Sequence, residues 1–325
     1  MYPHFPLAKK NSPVDQLRQA CVDIAVSNEL NRVAVRYSIL PIFAGLFGSR
    51  AKGYNSLDSD YDFYVPYVDE VEHYLKAIDS DTSQVEGTES VPPQVTIEVM
   101  RSNKPISVQI NLVPLKHFIN EITRNNIDFR MALDNTAIRY CDQAAMSSFH
   151  KLAAAFVDQE KIKHMAIGRA AKVINILKKG TNIIKSEISD GVYRLLVARA
   201  MSNEKAVNVL YYNQTQTFKD LLAFYSGRFG TTDETVKDSF YLMCEVVMKS
   251  LDVGDFDSVL ANPETREIMV AVIEQAIRDI KKEQNAALPA TATPNTVEAR
   301  LSIVSQVNKI YARIVLRTCI ASKLT

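Results

Sequence analysis

Apolar residues come in short, β-rich runs between residues 33 and 113 and at helical spacing from Leu115 to the end. Ahead of both, residues 1–13 hold three prolines and read as an irregular leader. Ser12 or Asp15 then caps a helix over 14–30, with Leu17, Cys21, Ile24 and Ala25 on its apolar face. Residues 33–37 and 39–46 are rich in β-branched and aromatic side chains and read as strands. The second runs straight into Gly48-Ser49, a short helix covers 50–54, and turn formers lead to a strand over 61–67. Residues 69–78 carry helical spacing, and the acidic, serine-rich stretch 79–93 reads as a loop. A hairpin follows over 94–113, with Val95, Ile97 and Val99 alternating on one strand and Ile106, Val108, Ile110 and Leu112 on the other. A four-residue turn at 102–105 would pair Glu98 with Gln109 and Thr96 with Asn111, leaving Glu98 diagonal to Asn111 at about 7 Å.

Beyond Leu115 the spacing predicts helices over 115–124, 127–133, 144–157, 159–177, 191–200, 206–210, 217–225, 233–251, 263–284 and 296–321. Residues 284–295 are rich in Ala, Thr and Pro and read as a linker, and Asn295 with Glu298 forms a capping box for the last helix. The expected fold class is therefore α+β: a small mixed β-sheet domain over 1–135, then an all-helical domain over 136–325.

Composition narrows the function classes only slightly. A formal net charge of +1 argues neither for nor against a polyanionic partner. No apolar run approaches the roughly 20 residues that span a bilayer. The N-terminus lacks a signal layout, so the expected location is the cytoplasm (a host's, if the chain is phage-encoded). Cys21, Cys141, Cys244 and Cys319 have no paired spacing, so each is expected to be a reduced, buried residue rather than half of a disulfide or a zinc ligand.

The candidate chemistry lies between Phe47 and Val65. On a strand over 61–67, Asp60 and Asp62 point to one face, because side chains alternate with period two. Two carboxylates side by side repel, and a divalent cation between them relieves the repulsion. Gly48-Ser49, at a strand end and opening a helix, presents free N–H groups suited to phosphate, with Arg50 and Lys52 close behind. A phosphate cradle with a metal platform outlines a nucleotide site. The bland reading of Arg50 and Lys52 is exposed helix-start charge, and that of Glu98 is a cross-strand surface residue. His117 reads as a packed or surface histidine. The basic runs at 161–164 and 178–179 read as solvated faces.

Gly-Ser, ten residues, then Asp-x-Asp on a strand resembles the signature of the DNA polymerase β-like nucleotidyltransferase superfamily. The wording Gly48-Ser49-Arg50-Ala51-Lys52-Gly53 with Asp58-Ser59-Asp60-Tyr61-Asp62 is similar to a branch of predicted nucleotidyltransferases from bacteria and tailed phages. Val108-Gln109-Ile110-Asn111-Leu112-Val113, followed by Leu115-Lys116-His117-Phe118 and Asn125-Asn126, resembles that branch's third-aspartate strand and the helix after it. The likeness covers residues 40–70, 106–135 and, on less specific wording, 190–225.

The resemblance implies transfer of an NMP from an NTP, with release of pyrophosphate. Asp60 and Asp62 would hold Mg²⁺ or Mn²⁺, Gly48 and Ser49 the β/γ-phosphates, and Arg50 or Lys52 would add charge. The chain departs from the pattern at the third carboxylate, where Asn111 stands. An amide oxygen ligates a cation only weakly and cannot act as a base. Glu98, on the paired strand, is the candidate substitute. The acceptor (nucleic acid, protein or small molecule) is open. So are two other classes: a catalytically weak nucleotide-binding or regulatory protein, and an interaction protein built on the helices.

Overall fold

The computed structural model describes residues 13–53, 55, 59–69, 91–101, 104–141, 143–180, 184–201, 218, 220–222, 239–253, 255–286, 305, 309 and 312. In chain order the elements are α1 (Pro13–Tyr37), β1 (Ile39–Pro41), β2 (Phe43–Phe47), α2 (Gly48–Lys52), β3 (Tyr61–Asp69), β4 (Gln94–Arg101) and β5 (Lys104–Pro114). Then come α3 (Leu115–Thr123), α4 (Ile127–Asp134), β6 (Thr136–Arg139), α5 (Gln143–Ala155), α6 (Gln159–Lys179), α7 (Lys185–Met201), α8 (Ser239–Val253), α9 (Phe256–Ala261) and α10 (Pro263–Ala286). The α+β class holds: a mixed sheet comes first and helices dominate the rest. The chain forms two compact units, one from Met1–Phe47, Asp60–Phe156 and Pro294–Thr325, the other from Gly48–Ser59 and Val157–Thr293.

The first unit is built on a six-stranded sheet of order β4-β5-β3-β2-β6, with β1 also paired to β3. Only β3 and β5 run parallel among these pairs; the others are antiparallel. Alternation gives the sheet two different faces. Tyr61, Phe63, Val65, Val108, Ile110 and Leu112 form a core with Val22, Val26, Leu30 and Val33 of α1. Each such buried apolar side chain contributes roughly 1.5–3 kcal/mol relative to exposure. On the opposite face, Phe43, Val68 and Val113 pack with Phe118 and Ile122 of α3, Phe129 and Ala132 of α4, and Met146 and Phe149 of α5.

Several expectations change here. Residues 33–37 are helix rather than strand, because Val33 continues the stripe of Val22, Val26 and Leu30 onto the sheet. The helix ends where Ser38 takes a positive φ of 49°. That stripe is also not the expected one, since Ile24 is 63% exposed and Cys21 is exposed as well. Cys244 is buried as expected and Cys141 is half-buried. The run of helices after Leu115 is interrupted by β6, whose four residues are too few to display a period. Helix α9, six residues long, was likewise not foreseen. The expected leader at 1–12, the helix and loop over 70–90, the helix over 206–210, Cys319, and most of the last helix and of the linker lie outside the described residues.

In the second unit α6 lies against α7, and α10 packs on α6, α7 and α8. Asp158 caps α6 by accepting from Lys161 N at 3.0 Å. Ion pairs tie α6 to its neighbours: Lys172 to Glu187 of α7, and Lys178 to Glu274 of α10 at 2.9 Å.

Candidate active site

The sheet places the aspartates by arithmetic. Tyr61, Phe63 and Val65 are buried against α1, so Asp62 and Tyr64 point to the other face, and Asp60 follows the same parity just before β3 begins. Parallel pairing sets Asp62 level with Gln109 and Tyr64 level with Asn111. The α3–α5 helices cover the far end of this face, where Val68 and Val113 stand. Aromatic rings fill its middle: Phe47 stacks on Tyr64 at 3.8 Å, and Tyr64 on Phe129 at 4.2 Å. The polar end is left to Asp60, Asp62, Ser107 and Gln109, all half-buried.

A relay of amides crosses three strands there. Gln94 Nε2 donates to Gln109 Oε1 at 2.8 Å, and Gln109 Nε2 donates to Asp60 Oδ2 at 3.2 Å. Asn111 is turned to other work, its Nδ2 donating to the Phe63 carbonyl at 3.3 Å. The side chain that meets the aspartates on the third strand is therefore Gln109. Its alternation with Ser107 and Asn111 was visible in the sequence; which member of that row stands beside Asp60 was not.

The hairpin register corrects the expected position of Glu98. Thr96 pairs with Gln109 and Gln94 with Asn111, while Glu98 stands opposite Ser107. The ladder continues to Arg101 and Lys104, so Lys104 and Pro105 belong to β5 rather than to the expected turn. A two-residue slip keeps every side chain on its face but moves each pairing along the strand. Glu98 is thus no diagonal neighbour of Asn111; about 13 Å of strand separates their levels. It is exposed, and two strand spacings, about 10 Å, separate β4 from β3. Among the described residues no three His, Cys, Asp or Glu side chains gather closely enough to share a cation.

The turn after β2 belongs to the second unit. Gly48 has a φ of 72°, a left-handed conformation that favours glycine, and α2 starts there. Arg50 Nε donates to the Ser59 carbonyl at 3.0 Å, tying α2 to the residue just before Asp60. Asp58 lies outside the described residues.

Residues 22–186, just over half of the 325-residue chain, match the family RlaP, described as an RNA repair pathway DNA polymerase beta family. The chain belongs to this family. The RlaP match spans β2, α2, β3 and β5, and with them every candidate residue from Gly48 to Asn111. Membership makes the chain a polymerase-β-type nucleotidyltransferase by family. A nucleotidyltransferase-like protein from Exiguobacterium sibiricum 255-15 is similar over 91% of this chain and 92% of its own, at 8% identity and a TM-score of 0.27. No curated protein matches the chain. No helix among the described residues is long and apolar enough to cross a membrane.

In this RlaP chain the second basic residue of the turn is buried. Lys52 is only 3% exposed, and its Nζ donates to Asp190 Oδ1 of α7, with the Tyr193 ring centroid 5.8 Å away. Asp190 Oδ2 also accepts from Arg169 Nε of α6 and from Arg194 Nε, each at 2.9 Å. Sequence reasoning missed Asp190. Its i,i+4 pairing with Arg194 is local, but Lys52 lies 138 residues away and nothing in the chain announces that contact.

Burial alone would raise the Asp190 pKa, but the charges and hydrogen bonds of Lys52 and Arg194 outweigh it and hold the carboxyl at about 2, against 3.8 ordinarily. A folded-state pKa below the unfolded one contributes stability above the unfolded value and loses it as pH falls through the folded value. Asp190 should therefore contribute on the order of 2 kcal/mol above pH 3.8, fading toward pH 2. Urea unfolding from pH 5 down to pH 2.5 measures this. The stability gap between wild type and Asp190→Asn should narrow over that range, and a constant gap would contradict the assignment.

Proposed function

We propose that the chain is a metal-dependent nucleotidyltransferase that moves an NMP from an NTP to an acceptor hydroxyl and releases pyrophosphate. The observation that carries this is the pair Asp60 and Asp62 on one sheet face, one of them braced by Gln109, in a chain of the RlaP family. Two carboxylates two positions apart on a strand form a hard oxygen donor set that suits Mg²⁺ or Mn²⁺. When bound, the cation would neutralise the triphosphate and polarise its α-phosphate.

The chain's own residues have separate tasks. Asp60 and Asp62 hold the cation, and Gln109 fixes the Asp60 carboxylate by donating to it. Gly48 and Ser49 offer backbone N–H groups and a hydroxyl to the β/γ-phosphates. Arg50 ties α2 to Ser59, and Lys52 anchors that helix. Neither Gln109 nor Asn111 has an atom that can take the acceptor's proton. Among the described residues of this face that leaves the oxygens of Asp60 and Asp62, with Glu98 farther off on β4. The family description names an RNA repair pathway, which favours an RNA end among the acceptor classes.

The test incubates the protein with each labelled NTP, Mg²⁺ or Mn²⁺, and RNA with free 3′ ends or a cell extract. Label appearing on an acceptor, with equimolar pyrophosphate, is the expected result. Neither product under any combination would sink the proposal. The amides at 109 and 111 favour a second reading, nucleotide binding without turnover. In that case the protein retains labelled NTP and transfers none.

A further inference from the structure

We infer that Asp190 is a positioning residue for the phosphate turn, acting through Lys52 to hold the short helix α2 against α7. The inference rests on the reading of Gly48 and Ser49 as the triphosphate cradle. Helix α2 has five residues, a single turn, and such a helix cannot hold its own geometry in water. Its two basic side chains are both spent on anchorage. Arg50 bonds the Ser59 carbonyl, and Lys52 turns inward to Asp190.

The anchor is a built one. Asp190 is 6% exposed and is held from α2, α6 and α7 at once, by Lys52, Arg169 and Arg194. Lys52 is as thoroughly enclosed, with Ala51 beside it also buried. A lysine that donated directly to a ligand phosphate would need its ammonium outside this cluster. Buried ion pairs add little net stability over apolar side chains of the same volume, and their best-attested use is to specify one arrangement. Here the arrangement specified is the seat of α2, and hence the direction of the N–H groups at Gly48 and Ser49. Asp190 touches no substrate in this scheme.

The experiment measures binding of ATP, GTP, CTP and UTP, each with Mg²⁺, and of the matching NMPs, by calorimetry on the full chain. The variants are Asp190→Asn and the double change Lys52→Met with Asp190→Leu, which removes both charges and keeps the volume filled should the single variant fail to fold. Circular dichroism and thermal midpoints confirm the fold. The expected result is at least a tenfold loss of affinity for the preferred NTP, with NMP affinity changed less than twofold, and recovery in Lys52→Arg with Asp190 intact. Unchanged NTP affinity in a folded variant overturns the positioning role while leaving the cradle reading intact. Equal losses for NTP and NMP also overturn it, as the mark of a general structural defect. A wild-type chain that binds no NTP overturns the cradle reading and this inference together.

Discussion

Asp60→Asn combined with Asp62→Asn should abolish nucleotide transfer, by on the order of 10³-fold or more, which corresponds to about 4 kcal/mol of transition-state stabilisation. The loss should come without unfolding. Both side chains are half-buried at the polar end of the sheet face, and Asn keeps an oxygen to accept from Gln109 Nε2, now at 3.2 Å from Asp60. Replacing two adjacent carboxylates by neutral amides also removes a like-charge repulsion. The thermal midpoint should therefore stay level or rise slightly while transfer disappears. Labelled transfer and calorimetry on the same preparation separate the two effects. Retained transfer in the double variant would remove these aspartates from the site.

Gly45→Ala should do the reverse, damaging the fold through one methyl group. Gly45 is buried in β2 on the face toward α4, where a Cβ would overlap the Ala132 carbonyl oxygen and stand 2.9 Å from the Ala132 Cα. Both obstacles are backbone, so no rotamer change relieves the clash. Strand β2 is hydrogen-bonded on both sides, with Gly45 opposite Tyr64 on β3 and Thr136 on β6, so it cannot retreat without breaking a ladder. The cost should reach about 3 kcal/mol, at the upper end for overpacking, or roughly 6–12 °C in thermal midpoint. Gly168→Ala is the control. It lies on the exposed face of α6 with nothing within 4 Å of a new Cβ, and should stabilise by about 0.5–1 kcal/mol. Equal effects at the two glycines would refute the packing argument.

The contrast between these positions shows what could be read in advance. Gly48 was legible as a turn because its neighbours announce a strand end and a helix start. Gly45 was not, since nothing local distinguishes a strand glycine pressed against a helix from one that merely interrupts a strand. Val33 was misread for a similar reason. A valine followed by Ala, Val, Arg and Tyr suits either period, and only the sheet beneath α1 made the helical choice pay. Glu98 fell two positions out of register because alternation defines a strand's faces but not its partner's alignment. That depends on the turn, and the ladder runs on to pair Arg101 with Lys104 instead of stopping before the expected turn.

By itself, then, the sequence determined the periods where they run unbroken: that 61–67 is strand, that 94–113 holds two alternating strands, that Asp60 and Asp62 share a face, and that a glycine turn precedes them. These are consequences of backbone geometry repeated residue by residue. The tertiary structure alone decided which distant side chains meet them. It set Gln109 rather than Asn111 beside the aspartates, through the parallel pairing of β3 and β5. It also buried Lys52 against Asp190, through packing between segments 138 residues apart. Local torsional preference decides the first kind of fact. The second depends on how the whole chain buries its apolar surface, which no local window contains.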